Sequence, residues 1–211
     1  MTVKKQNTLN RTQRQQLRTR RQLLDAGRSL IAEKGVSGLR VQEVTELADV
    51  ALGSFYNYYS SKDDLVAAII AESLSDLVSA IVVETSADTD PAETVADATI
   101  RVVGLAHSDP ALARLIVNIP NAESLFGQTL SPHARIAVER GIATGRFNVP
   151  DVDVLLTSVI GGAFALIREI LNGRHGLHAA EAFACYALAS LGVRPDEALA
   201  IVNRTVKATS P

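Results

Sequence analysis

Three of the four tyrosines in the chain, Tyr56, Tyr58 and Tyr59, fall within four positions, behind Gly53-Ser54 and ahead of Lys62. A tyrosine carries a polar tip on a rigid apolar ring. A short helix bearing several can therefore pack on one side and touch phosphate on the other. The surrounding charge points the same way. The first 24 residues hold seven basic groups (Lys4, Lys5, Arg11, Arg14, Arg18, Arg20, Arg21) and no acid. Residues 1–62 carry 11 Lys/Arg against 5 Asp/Glu, while residues 63–211 carry 10 against 18. One end of such a chain is suited to a polyanion and the other repels it.

These groups must be positioned by helices. Alternating apolar-polar runs do not recur, aromatics are 4% of the chain, and Ala and Leu dominate long stretches. The fold class is therefore all-α. Residues 1–17 read as a flexible basic arm, although helical periodicity extends from about Thr12 to Lys34, where Gly35 supplies the stop. A short helix over Val41–Ala48 turns Val44, Leu47 and Ala48 inward, and after Asp49-Val50 another covers Ala51–Tyr58. A fourth begins near Ser61-Lys62, with Asp63 and Asp64 at the positive end of its dipole. Thr85–Pro91 is a loop, with Asp90 as N-cap and Pro91 at the first helical position. Further helices fit 91–107, 110–117, 122–144, 151–172, 178–191 and 195–207, separated by Pro and Gly.

The bulk numbers exclude several classes. No apolar run reaches the roughly 18 residues of a membrane span. The polar N-terminus has no apolar stretch behind it, so a secretory signal is not expected. A single cysteine, Cys185, rules out an internal disulfide and a cysteine-built zinc site. His175 and His178 lack nearby carboxylates, and no triad, phosphate-cradling loop or carboxylate pair stands out. The expectation is a cytoplasmic protein that is not an enzyme, with no cofactor, no metal and no membrane partner.

Two short helices joined by a tight turn, the second polar and aromatic, form a helix-turn-helix signature. Gly53 admits a DNA backbone because it has no side chain to collide with phosphate. Leu52 and Asn57 face outward, Ser54, Tyr56 and Tyr58 offer hydroxyls to phosphates, and Phe55 packs inward. Lys62 adds an ammonium to free helix N–H groups. Residues 18–66 resemble the N-terminal domain of the TetR family of bacterial transcription regulators. The pattern is Arg20…Leu23-Leu24-Asp25-Ala26, Glu33-Lys34-Gly35, Val41…Val44 and Gly53-Ser54-Phe55-Tyr56…Tyr58-Tyr59…Lys62…Leu65. Where the family usually has Gly-Val-Ser before the recognition helix, this chain has Asp49-Val50-Ala51, and Arg40-Val41 replaces a usual threonine cap. The resemblance implies base-edge contacts by Gln42, Ala51, Leu52 and Asn57. It implies phosphate contacts by Thr19, Arg40, Ser54, Tyr56, Tyr58 and Lys62, with the arm following the backbone or minor groove.

The resemblance further implies that residues 67–211 form a helical ligand-binding and dimerisation domain. One recognition helix reads few base pairs, so such proteins bind palindromic double-stranded DNA as homodimers. The small-residue helices 151–172 and 178–191 suggest an interface through Ile160, Gly161, Phe164, Ala180, Ala184 and Ala187; the protomer's own core is the alternative. Polar groups on apolar stretches give Arg101, His107, Asn118, His133 and Arg168 as contacts to a small-molecule effector, with Phe126 and Phe164 as walls. The implied function is a transcriptional repressor released when an inducer spreads the recognition helices, with helix 4 as the lever. The alternative is a DNA-binding, chromosome-organising protein without an inducer.

Overall fold

The computed structural model describes residues 11–81 and 89–209, which form ten helices and no strand. Lys4, Lys5 and residues 85–88 of the expected loop lie outside the described residues. The helices are α1 (Arg11–Gly38), α2 (Val41–Leu47), α3 (Leu52–Phe55), α4 (Lys62–Ile81), α5 (Pro91–Ser108), α6 (Pro110–Val117), α7 (Ala122–Ala143), α8 (Val152–Leu171), α9 (Ala179–Ser190) and α10 (Pro195–Thr209). The chain divides into two compact units between Ala71 and Glu72, inside α4.

In the first unit α1 starts at Arg11, so residues 11–17, expected in the arm, are helical. Gln and Arg are good helix formers, and no glycine or proline interrupts them. Thr19, Leu23, Ala26, Gly27 and Leu30 repeat at helical spacing and are all buried. An added Cβ on Gly27 would come within 2.7 Å of the Ile69 side chain, so glycine here lets α4 lie close against α1. Gly35, at φ 74° and ψ 171°, breaks the helix at the expected residue. In α2 the buried residues are Val44 and Thr45, with Ala48 just beyond. Leu47, expected inward, is 56% exposed because its position falls about 100° off that stripe.

The α2–α3 turn departs from glycine usage elsewhere in the molecule. After α2, α7, α8 and α9 a left-handed residue closes the helix with paired bonds back to its last turn. Three of these residues are Gly145, Gly173 and Gly192, but after α2 it is Asp49, at φ 54°. Its N–H donates to the Glu46 carbonyl at 3.2 Å and the Val50 N–H to that of Thr45 at 2.9 Å. The third helix is shorter than expected, ending at Phe55, with Tyr56–Tyr58 forming a turn. Ala51 gives it no side-chain cap, and Gly, Asn and Tyr extend a helix poorly.

In the second unit α5 packs against α6, α7, α8, α9 and α10. The Asp90 carboxylate accepts the Ala92 N–H at 2.9 Å, as the N-cap reading required. It also receives Arg146 Nε–H at 3.1 Å, and Arg146 meets Glu197 at 2.8 Å, tying the start of α5 to the segment after α7 and to α10. A buried cluster including Ala92, Ala96, Val138, Phe147, Leu156, Leu188 and Ile201 fills the space between. The boundaries of α5 through α10 fall within two residues of those read from sequence.

Two stability outcomes follow. Asp49→Gly should raise the stability of the first unit by about 0.5–1 kcal/mol in urea unfolding. That figure is left-handed strain of roughly 1–2 kcal/mol less the roughly 0.4–1 kcal/mol by which glycine favours the unfolded chain. For Asp90, burial pushes the carboxyl up, but the Arg146 bond, the Ala92 N–H and the charges of Arg146 and Arg204 outweigh it, and its pKa is lowered below the ordinary 3.8. A lowered folded pKa contributes stability present above the unfolded value and lost as pH falls through the folded one. Asp90→Asn should thus be less stable than wild type at pH 7, and the difference should shrink below about pH 4 in thermal melts.

Candidate nucleic-acid interface and effector cavity

The four-residue α3 is held by its last side chain. Phe55 is fully buried, with Tyr56 edge-on at 5.3 Å and Tyr59 tilted at 5.8 Å between ring centroids. Tyr59 is 3% exposed and the Arg20 guanidinium lies 5.9 Å from its centroid. With Phe55 inside, the opposite surface carries Leu52, half exposed, Gly53, and Tyr56 at 59% exposure; Ala51 and Asn57 are exposed and Ser54 and Tyr58 half-buried. The tyrosine cluster is therefore split between an interior anchor and an outer surface. A Cβ built on Gly53 meets nothing within 4 Å. Its φ is not positive either. Nothing inside the unit requires glycine there, although alanine would favour the helix.

Gln42 and Arg40 are exposed on the neighbouring α2 and its N-cap, and the Gln42 amide donates to Glu46 Oε1 at 3.0 Å. Two expectations change in detail. Thr19 is 9% exposed, on the core stripe of α1, which leaves little of its side chain for a phosphate. The start of α4 is not an open anion site: Ser61 Oγ accepts the Asp64 N–H at 3.1 Å, and the Asp64 carboxylate accepts the Ser60 N–H at 2.9 Å. Lys62 stands there as a half-buried cation beside its own helix cap.

The second unit encloses a cavity of about 290 Å³. Its walls come from α5 (Thr94, Val95, Asp97, Ala98, Thr99, Val102), α7 (Leu130, His133, Ala134, Ile136, Ala137, Val138), α8 (Leu155, Leu156, Val159, Ile160, Ala163, Phe164) and α9 (Phe183, Ala187), with Ile81 and Leu191. Among the expected contacts, His133 and Phe164 line it. Phe126 is fully buried behind, 5.8 Å from Phe164 between centroids. Arg101 is off the wall, paired with Asp97 at 2.7 Å. Arg168 is exposed and meets Glu123 at 3.2 Å, and Asn118 is exposed at the end of α6. His107 lines a separate cavity of about 270 Å³ with Ile100, Val103 and Gly104. The sequence reading missed Thr94, Asp97 and Thr99, whose only signal is three polar residues clustered around Val95 and Ala98.

The expected interface residues are largely interior. Phe164, Ala180, Ala184 and Ala187 are each under 9% exposed, because these apolar helices bury one side in their own unit. Ile160 and Gly161 are half-buried, and Ile160 also lines the cavity. The outward stripe of α8 is Val154, Ser158, Gly161, Ala165 and Arg168, and that of α9 is Ala182, Tyr186 and Ala189. Val154 is 61% and Tyr186 72% exposed. α8 is long and apolar enough to cross a membrane by length and composition, with mean hydropathy 1.8, which the sequence reading did not single out.

Known proteins share this arrangement. Residues 23–69 match the family model of bacterial regulatory proteins of the tetR family, and residues 90–204 match that of tetracyclin repressor-like C-terminal domains. The chain is 39% identical over 56 residues to the HTH-type transcriptional repressor DhaR of Mycobacterium sp. (strain GP1), an alignment covering 26% of this chain and 28% of that protein. It is 23% identical over 146 residues to the HTH-type transcriptional repressor KstR2 of Mycolicibacterium smegmatis (strain ATCC 700084 / mc(2)155), covering 64% and 70%. The crystal structure of RolR with resorcinol superposes with a TM-score of 0.69 at 28% identity, covering 90% of this chain and 96% of that one. The chain belongs to the TetR family, whose members are DNA-binding transcription regulators rather than enzymes.

Proposed function

We propose that this protein is a ligand-responsive transcriptional repressor of the cytoplasm that binds a palindromic operator as a homodimer and is released by a small molecule. The observation that carries the reading is Gly53, a glycine with open space above it on a helix whose other side is anchored by Phe55. Close approach of a DNA backbone accounts for a glycine that nothing among the described residues requires. In this reading Gln42, Ala51, Leu52 and Asn57 face base edges, while Arg40, Ser54, Tyr56, Tyr58 and Lys62 meet phosphates. The second unit supplies the response. RolR, similar over nearly all its length, holds resorcinol in its crystal structure, and in this reading the cavity here takes the effector. A chromosome-organising protein without an effector leaves that cavity without an occupant. α4 carries Lys62 at its first position and Ile81, a cavity wall residue, at its last.

Mobility shifts on the DNA upstream of the coding gene test the operator half. Gly53→Ala should weaken binding at least tenfold while its melting temperature is unchanged or higher, since alanine favours a helix by about 0.5–1 kcal/mol. Lys62→Ala should weaken all sequences alike and flatten the salt dependence, and Gln42→Ala should relax preference at one base pair. Binding by Gly53→Ala equal to wild type would remove the main support. For the homodimer, the outward stripe of α8 and α9 replaces the interior residues first named. A Cβ on Gly161 meets nothing within 4 Å among the described residues. Gly161→Arg should therefore leave helicity intact and shift the sedimentation coefficient from dimer to monomer; an unshifted dimer would place the interface elsewhere.

A further inference from the structure

The cavity walls are unequal in hydrogen-bond polarity, and what this selects rests on the regulatory reading above. Four of its lining residues can hydrogen-bond through their side chains: Thr94, Asp97, Thr99 and His133. Three belong to α5, and each has its own donor absent or committed. Asp97, paired with Arg101 at 2.7 Å, is a carboxylate with acceptor atoms only. The Thr99 hydroxyl donates to the Val95 carbonyl at 2.7 Å, leaving only its lone pairs for a ligand. The Thr94 hydroxyl donates to the Asp90 carbonyl at a long 3.4 Å and accepts from Arg140 Nη2–H at 3.2 Å. No Lys or Arg lines the cavity among the described residues, so the cations paired with Asp97 and Thr94, Arg101 and Arg140, are not part of its walls. Among the described residues, His133 is the one wall side chain with a donor not committed to a bond within the protein.

We propose that the effector is a compact apolar molecule, uncharged or cationic, that presents hydroxyl or amine donors to the acceptor-lined α5 side of this cavity, and that Asp97 turns carboxylates away. Apolar walls supply attraction for the ligand body without choosing among bodies of similar size. An acceptor-lined wall does choose: a ligand carrying only acceptors there faces lone pairs it cannot bond, and an anion also faces the Asp97 carboxylate. Hydrophobic acids and acyl thioesters, acceptor-rich at the head, are thereby disfavoured. Alcohols, phenols and amines on an apolar frame are favoured. The volume of about 290 Å³ lies at the small end of ligand pockets, which suits a body of one or two fused rings.

The test compares three probes of nearly equal shape on the full chain without DNA: 2-naphthol, 2-naphthoate and naphthalene. Calorimetry should show 2-naphthol binding at least tenfold more tightly than 2-naphthoate, with naphthalene between them. Asp97→Asn keeps the size of the side chain and adds an N–H donor. It should narrow the naphthol–naphthoate gap at least tenfold, mainly by admitting 2-naphthoate. Thr99→Val, which removes an acceptor, should weaken 2-naphthol and leave naphthalene unchanged. Equal or tighter binding of 2-naphthoate to wild type would overturn the proposal, as would a gap that Asp97→Asn leaves untouched or failure of all three probes to bind. Because these measurements contain no operator, pairing them with mobility shifts in the presence of each probe separates the two readings. Correct selectivity without operator release would count against the regulatory reading alone, and operator release by a carboxylate would count against the acceptor wall alone.

Discussion

A helix of four residues has too few internal hydrogen bonds to persist by itself, so α3 exists because Phe55 is buried. That burial fixes the rotation of the segment about its axis. With the Phe55 ring inside, Leu52, Gly53 and Tyr56 are directed outward, and the turn 56–58 brings Tyr59 back to pack against Phe55. In the same unit, the missing side chain at Gly27 lets α4 lie close against α1. An exposed surface of one small helix is thus positioned by a core whose members never touch a partner. Asp49 shows a limit to this positioning: the turn that aims α3 carries a side chain where the other left-handed helix ends use glycine.

The second unit depends on α5 in a similar way. Its N-terminus is pinned by Asp90 to Arg146 and by Glu93 to Arg204, which meet at 3.0 Å. Other helices surround it, so its residues divide between packed core and cavity wall. Ala92 and Ala96 are fully buried, while Thr94, Asp97 and Thr99 reach the cavity. Polar residues on such a helix must satisfy themselves first. Bonding to backbone carbonyls and to Arg101 does this, and the result is a wall that has spent its donors. The chemical preference of the cavity is in that sense a by-product of making α5 stable.

Helix boundaries were legible in the sequence because local chemistry sets them: Asp90-Pro91, Asp109-Pro110 and Asp151 cap the starts, and Gly145, Gly173 and Gly192 close the ends. The inward turn of Phe55 was legible too, from the asymmetry of its neighbours. Facing was not legible where a helix is apolar or small on every side. In α9 alanines occupy both the core and the surface, so Ala184 and Ala187 could not be told from Ala182 and Ala189 by composition. Leu47 misled for the opposite reason, a large apolar residue left outside. Arg101, Asn118 and Arg168 drew notice as polar residues in apolar stretches, yet long side chains reach solvent or partners without entering a cavity. Thr94 and Thr99 were overlooked because a threonine bonded to the preceding turn resembles any helical threonine in sequence.

Coupling between cavity and DNA has an energetic floor. To lower operator affinity a hundredfold, an effector must distinguish the two conformations by about 2.7 kcal/mol, and tight binding to both alike accomplishes nothing. Apolar contacts along Val95, Val102 and Val159 are non-directional and tolerate small shifts of the walls. A donor bonded to Asp97 or Thr99 is lost with a displacement of an ångström, so the polar contacts are the ones able to separate two arrangements of α5 against its neighbours. Ile81 lines the same cavity at the last position of α4, whose first residue is Lys62. In the proposed mechanism, a ligand held in register by α5 while its apolar body meets Ile81 would pass the difference in affinity into α4, the helix that begins beside the tyrosine turn. The groups that select the effector and those that give it leverage are then the same few atoms on α5.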